Sequence, residues 1–341
     1  MSIIYVDDTN ESIHYDGLWT AGPAGFNPGK SLDGISFNNT IHMLQSSGSF
    51  SFKFTGTLIN VTGAYMPPVE SGGLISPTWN CSVDGMALPS ARNVTTIGSH
   101  RTLCGTIDGF QLEDGSHELT VSISTTGQPF YFDFIAYLPS IEVALPSNSD
   151  VSIFIGPNDT AISYNTVSDW STFTRSLNSS QESGIEWSSM ISQVNGAQFI
   201  LQFYGKSLRW YGQIPWKLPH NSSHASYSID GEPPVNFKLS GIIPPNDTTA
   251  ANAQVILTLS GDSPGPHTLK AVYKGSSSEV PMSIQYFTAT NGSYEDVPGT
   301  PTGRLAQVPF TTSQVSTSTA TNSNGGRIAP IEAQGPSTSI Y

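Results

Sequence analysis

Phe50, Phe52 and Phe54 alternate with Ser51 and Lys53, which puts three phenyl rings on one face of an extended segment and polar groups on the other. The alternation resumes at Ile59 and Val61 after Gly56, so the segment reads as one half-buried strand with a bend at the glycine. Runs of the same kind cover Ile3 to Val6, Glu118 to Ser124, Tyr131 to Tyr137, Gln198 to Tyr204, Gln254 to Ser260 and Thr268 to Tyr273. Turn chemistry separates them at Asp84-Gly85, Asp108-Gly109, Asp114-Gly115, Asp230-Gly231 and Pro264-Gly265-Pro266. No segment keeps a helical period with caps. Many short strands joined by Gly- and Asp-rich turns predict antiparallel β-sandwiches of the jelly-roll kind rather than βαβ units.

The pattern occurs twice. Phe54-Thr55-Gly56 with Gly63 recurs 149 residues later as Phe203-Tyr204-Gly205 with Gly212, and Ile13-His14-Tyr15 recurs as Ile162-Ser163-Tyr164. Cys81-Ser82-Val83-Asp84-Gly85 answers Tyr227-Ser228-Ile229-Asp230-Gly231, and His117-Glu118-Leu119 answers His267-Thr268-Leu269, with the offset drifting by a few residues. A period near 150 is the size of a domain and too long for a solenoid repeat. Two tandem sandwiches are therefore expected, residues 3–140 and 151–291, joined by residues 141–150. From residue 295 to 341 the chain changes character, and between Pro309 and Tyr341 twelve of 33 residues are Ser or Thr. That stretch reads as a disordered Ser/Thr/Pro-rich stalk.

Only 11% of residues are charged and the formal net charge is −13. Thirteen Lys and Arg spread over 341 residues give no basic patch for phosphates, which excludes nucleic acid as a partner. Ten Asn-x-Ser/Thr sequons stand at Asn10, Asn38, Asn60, Asn80, Asn93, Asn158, Asn178, Asn221, Asn246 and Asn291, roughly twice what this composition produces by chance. They point to the secretory route and to N-glycans. The two cysteines, Cys81 and Cys104, suit a disulfide whose loop of 23 residues would contribute about 3 kcal/mol, with a pair of buried thiols as the alternative. The amino terminus has no signal-peptide pattern and nowhere do 18 apolar residues run together, so no membrane span is expected in this chain. The conflict with the sequons is met by expecting a chain whose targeting segments are missing.

Tyr5-Val6-Asp7-Asp8-Thr9, Ile13-His14-Tyr15-Asp16-Gly17-Leu18-Trp19, Phe52-Lys53-Phe54-Thr55-Gly56-Thr57, Cys81-Ser82-Val83-Asp84-Gly85, Asp114-Gly115-Ser116-His117 and Phe132-Asp133-Phe134-Ile135-Ala136-Tyr137 resemble the ectodomain repeats of single-pass membrane proteins of mushroom-forming fungi. The likeness covers the first module well and the second weakly, and extends to the stalk. It implies a galactose-binding-like jelly roll on the cell exterior, with the transmembrane helix absent from this chain, and implies no known activity.

In carbohydrate-binding modules of related jelly-roll shape, acidic residues of the first strand and an Asp of the last hold a structural metal. Asp7, Asp8 and Asp133 are similar in placement, and Ca²⁺, which takes six to eight oxygen ligands, would suit them. The other reading makes Asp7 and Asp8 turn caps and Asp133 a hydrogen-bond acceptor for a loop. The second module departs from the pattern: at the 149-residue offset Asp8 becomes Pro157 and Asp133 becomes Met282.

Aromatic rings stack on the apolar face of a pyranose while neighbouring polar groups read its hydroxyls. Tyr65 and Trp79 bound one candidate loop; Tyr211 and Trp216 belong to another, from Gln213 to Ser226. Trp79 and Trp216, flanked by prolines, are expected to be exposed, whereas Trp210, Trp19 and Trp170 are expected in the core. Catalytic motifs are absent: no HExxH, no nucleophile elbow, and Ala24 to Ser31 matches a phosphate loop only loosely and is followed by loop residues. His117 and His267 are expected to be structural. The sequence thus points to a non-catalytic extracellular surface module that binds a cell-wall or extracellular glycan, or a protein. A purely structural glycosylated spacer is the alternative, with a glycoside hydrolase or esterase further behind. No cofactor is expected beyond calcium in the first module.

Overall fold

A computed structural model describes residues 3–28, 34–66, 76–90, 97–106, 111–140, 151–174, 188–241 and 250–290. The expected linker, the expected stalk and the sequons at Asn93, Asn178, Asn246 and Asn291 lie outside them. The fold is all β. The first module holds β1 (Ile3–Asp7), β2 (Ile13–Asp16), β3 (Trp19–Ala21), β4 (His42–Leu44), β5 (Gly48–Tyr65), β6 (Thr78–Val83), β7 (Met86–Ala87), β8 (Gly98–Gly105), β9 (Gly115–Ser124) and β10 (Phe130–Pro139). The second holds β11 (Val151–Ile155), β12 (Ile162–Tyr164), β13 (Ser171–Thr174), β14 (Ser188–Ser192), β15 (Gln198–Pro215), β16 (Ser223–Ile229), β17 (Val235–Leu239), β18 (Ala250–Tyr273), β19 (Met282–Ile284) and β20 (Tyr286–Thr290). Among the described residues no helix is long and apolar enough to cross a membrane.

One long strand builds each sandwich. The first half of β5 pairs with β2 and β9, and the second half with β10 and β8, so a single strand passes from one layer to the other. The passage lies at Gly56, where a Cβ would meet the Leu138 carbonyl oxygen at 2.1 Å; only glycine lets the two backbones come so close. In the second module β15 does the same work, with Gly205 at the equivalent place. The apolar faces of the two layers then close on each other. Ile4, Val6, Phe50, Phe52, Val61, Val121 and Ile135 form the first core; Ile153, Ile155, Phe199, Leu201, Trp210 and Phe287 belong to the second. Cys81 on β6 and Cys104 on β8 form a buried disulfide that staples the two layers of the first module.

The expected turn at Pro264-Gly265-Pro266 is not a break. β18 runs through it because Gly265 pairs with Gly205, so the strand follows the bend of β15. The ladder skips from Gly265 to Ser260, which absorbs the extra residues as a bulge. In the first module the same path is interrupted, and β8 and β9 are separate strands.

The modules share a sheet. β1 pairs antiparallel with β11, with Ile3 opposite Phe154, Ile4 opposite Ile153 and Tyr5 opposite Ser152. Ile4 and Ile153 are equivalent residues of the two modules, 149 apart, so a pseudo-twofold axis passes between them and the junction is isologous. A continuous sheet β8-β5-β10-β1-β11-β20-β15-β18 results. On its face turned away from the two cores a ladder of rings crosses the axis. Phe134 stacks on Tyr5 at 4.7 Å, Tyr5 on Phe154 at 5.4 Å, Phe154 on Tyr286 at 5.2 Å and Tyr286 on Tyr211 at 4.4 Å. Each such pair is worth about 0.5–1.5 kcal/mol beyond its burial. Phe37, in a short 3-10 turn (Phe37–Asn39), meets Tyr5 edge-on, and the Asn38 side chain of that turn accepts a hydrogen bond from Arg209 of the second module at 2.8 Å.

Gly56→Ala is expected to cost on the order of 2–4 kcal/mol, since the obstacle is backbone that cannot yield. Gly205→Ala, whose Cβ would meet the Thr290 carbonyl oxygen at 3.0 Å, is expected to cost markedly less. Urea unfolding of the two variants checks the order; equal losses would mean that the bend is not where the constraint lies.

Candidate functional site

The acidic residues singled out in the sequence do come together. β1 ends at Asp7, and Asp8 follows it with its backbone N–H donated to the Asp133 carbonyl at 3.0 Å. Asp133 sits in a bulge of β10 between Phe132 and Phe134, which takes it out of the ladder and re-aims its side chain. Asp8 and Asp133 are fully buried and Asp7 is 6% exposed. Burying three carboxylates demands donors. The Phe37 N–H donates to Asp133 Oδ1 at 2.8 Å, and His100 Nε2 stands 3.6 Å from Asp133 Oδ2. Asp8 Oδ2 lies 2.6 Å from His42 Nδ1, whose ring stacks on Tyr15 at 4.7 Å. The Thr40 hydroxyl lies 2.7 Å from Asp8 Oδ1 and 3.1 Å from Asp7 Oδ2, while Thr9 donates to Asp7.

One hydroxyl proton thus serves two carboxylates. Burial, with the Asp8 charge added, pushes the Asp7 carboxyl up to about 6 despite its hydrogen bonds from Thr9 and Thr40. Burial and the Asp8 charge also hold Asp133 well above the usual carboxylate range, against the Phe37 N–H. Of the oxygens expected to ligate calcium, those of Asp7 and Asp8 are turned toward Thr9, Thr40 and His42, and those of Asp133 toward the Phe37 amide and the His100 ring. Among the described residues no three His, Cys, Asp or Glu side chains stand where they could hold one metal ion.

Strand pairing also corrects the match to the second module. Ile135 faces Val61 as Phe287 faces Trp210, so the counterpart of Asp133 is Gln285 and not Met282, which is buried in β19. Gln285 Oε1 accepts the Ala253 N–H at 2.7 Å. Ala253 and its counterpart His100 both take a left-handed backbone, φ 48° and 53°. The neutral amide thus occupies the bulge that a carboxyl occupies in the first module.

The aromatic candidates separate clearly. Trp79 lies in β6, not in a loop; it packs on Phe130 and donates its indole N–H to the Leu103 carbonyl at 3.0 Å. Tyr211 is buried in the junction ladder and is closed to any external ligand. Tyr65 ends β5, half-buried, and residues 67–75 of the loop beyond it lie outside the described residues. Trp216 is 40% exposed, with the Lys217 ammonium 5.5 Å from its ring centre. Its loop is held by the Leu218 N–H on the Pro215 carbonyl and by His220 Nε2, 3.1 Å from the Trp216 carbonyl. The flanks of the Gln213 to Ser226 segment are interior: Gln213 is fully buried, bound to Ser189 and Asn252, and Ser223 is sealed under Val280. Trp210 and Trp170 are buried as expected, and Trp19 packs against the first core.

His117 and His267 are the same device used twice. Each pairs with the Asp of an Asp-Gly turn, Asp84 at 2.6 Å and Asp230 at 2.8 Å, and the other oxygen of each Asp accepts the N–H of the residue after the histidine. Both Asp-Gly pairs have positive φ, the requirement of a tight hairpin turn that twists with its strands. The sequence showed the recurrence of these four residues but not that they meet. The Asn38 bond to Arg209 and the buried Gln213 trio left no trace in it.

No protein-family model matches the chain and no curated protein matches it. Among solved structures the backbone is similar to part of a Paenibacillus xanthan lyase, at 10% identity and a TM-score of 0.27, over 82% of this chain and 26% of that one. It is also similar to the plant receptor-like kinase FER (9% identity, TM-score 0.25, 84% of this chain and 95% of that). A third is the ANX2 ectodomain from Arabidopsis thaliana (8%, TM-score 0.26, 80% and 88%). The chain spans about a quarter of the length of the lyase. Likenesses this distant carry no inference about a ligand.

A carboxyl whose pKa is raised by folding holds its proton more tightly in the folded chain. The contribution of Asp7 is therefore complete below the ordinary carboxylate value and lost as pH rises to about 6. Asp7→Asn is expected to match the parent near pH 4 and to exceed it by about 2–3 kcal/mol at pH 7. Unfolding free energies of both proteins across that range check this; a difference that does not change with pH would refute it.

Proposed function

We propose that the chain is a non-catalytic extracellular surface module that recognises a glycan through the Trp216 loop. The observation that carries this is Trp216 itself: a large aromatic left exposed on a loop held by its own hydrogen bonds, with a cation beside it. An indole in that setting offers an apolar platform for a sugar ring, and Lys217 with the loop's polar groups supplies donors for hydroxyls. The disulfide and the low charge support an oxidising, extracellular setting. In the acidic cluster Asp7, Asp8 and Asp133 Oδ1 are engaged by internal donors, which supports a structural part for it.

A spacer that binds nothing specific is the second reading, and the paired, stacked junction favours it by making two modules one rigid body. A glycan array of the secreted chain, with and without Ca²⁺, separates the two. Specific binding is expected to weaken roughly tenfold or more in Trp216→Ala, the scale of one lost contact of about 1.4 kcal/mol. Binding unchanged in that variant would move the site elsewhere, and no binding by folded protein would leave the spacer.

A further inference from the structure

The six sequons within the described residues have unequal surroundings. Asn60 lies on β5 in the shared sheet, between Gly105 of β8 and Ala136 of β10. Asn60 is half-buried, and its Oδ1 is sealed from solvent over Gly105, where a Cβ would stand 1.9 Å from it. The next residues along that row, Ala136 and Tyr5, are 4% and 2% exposed, so Asn60 stands at the half-buried margin of a covered face. Asn38, also half-buried, is tied to Arg209 of the second module, on a backbone of φ 50°. Asn10 accepts the Ser12 N–H and hydroxyl within its own turn.

Asn80 stands differently. It projects from β6 on the outer face of the β2-β5-β9-β6 sheet, in a row with Ser122, Ser49 and Asp16. The adjoining row is Ser82, Thr120, Ser51 and His14, so the side chains around Asn80 are mostly short hydroxyls. Asn80 is exposed, and Ser82 of its sequon shares its face. Asn158 and Asn221 are also exposed, on turns of the second module.

We infer that Asn80 on the open hydroxyl face of the first module is an N-glycan acceptor, and that Asn60 and Asn38 at the junction are closed to that modification in the folded protein. The inference rests on the extracellular reading above. In the transfer, the Asn80 amide nitrogen bonds to the anomeric carbon of a lipid-pyrophosphate-linked oligosaccharide. The bond from that carbon to the pyrophosphate oxygen breaks, the lipid pyrophosphate leaves, and the amide gives up one proton. Transfer can precede folding, so the structure acts as a filter: a sugar on Asn80 extends into solvent, whereas one on Asn60 would start from a half-buried side chain wedged between Gly105 and Ala136.

Secretion from a eukaryotic host, recovery of the disulfide-bonded protein and glycopeptide mapping with isotope-marked enzymatic deglycosylation test this. Expected are sugar on Asn80 and bare Asn38 and Asn60; Asn80→Gln should remove one glycan from the intact mass, and Asn60→Gln none. Sugar on Asn38 or Asn60 of folded protein, or sugar at Asn158 or Asn221 with Asn80 bare, would overturn the inference and leave the extracellular reading standing. Retention in the cell, or folded secreted protein without sugar at any sequon, would overturn both.

Discussion

The architecture depends on how two strand edges are satisfied. β1 and β11 each close one side of a sheet, and each would otherwise present a row of unpaired backbone groups to water or to another chain. Paired with each other about Ile4 and Ile153, they remove both edges at once and bring Tyr5 and Phe154 into stacking contact. The ring ladder, the cover by Phe37 and the Asn38 bond to Arg209 all require that register, because a slip of one residue would turn Tyr5 into the core and Ile4 out of it.

The acidic cluster is tied to the same place. Asp133 holds the Phe37 amide, Phe37 packs on the ladder, and the next residue, Asn38, reaches Arg209 across the junction. A group of three buried carboxyls in the first module therefore supports a contact with the second. Nothing of the kind is needed on the other side of the pseudo-axis, where Gln285 satisfies the equivalent bulge without charge.

Much of the fold was legible in the sequence, and the reasons for the misses are specific. Alternation placed Phe50, Phe52 and Phe54 on the core face, the recurrence of Phe-x-Gly after 149 residues pointed to Gly205 as the second bend, and spacing suggested the Cys81–Cys104 bridge. Alternation says only that Tyr5 and Phe154 face away from the core; it cannot say that a second module covers that face. A fixed offset fails wherever a bulge adds a residue, which is why Asp133 was matched to Met282 instead of Gln285. Trp79 stands two residues after Pro77 and looked like a loop residue, yet cross-strand pairing with Ile123 makes it part of β6. Of the candidate site, the exposure of Trp216 was legible from the prolines that flank it, whereas Tyr211 was lost to a contact 75 residues away, with Tyr286.

The pseudo-twofold axis also sets the directions in which the protein can reach. An axis normal to the shared sheet reverses strand direction between modules, so β5 ends at Tyr65 and β15 ends at Pro215 on opposite sides of it. Two equivalent strand ends that point apart cannot both face one flat surface, so the shared sheet separates the two modules' corresponding edges instead of gathering them on one side.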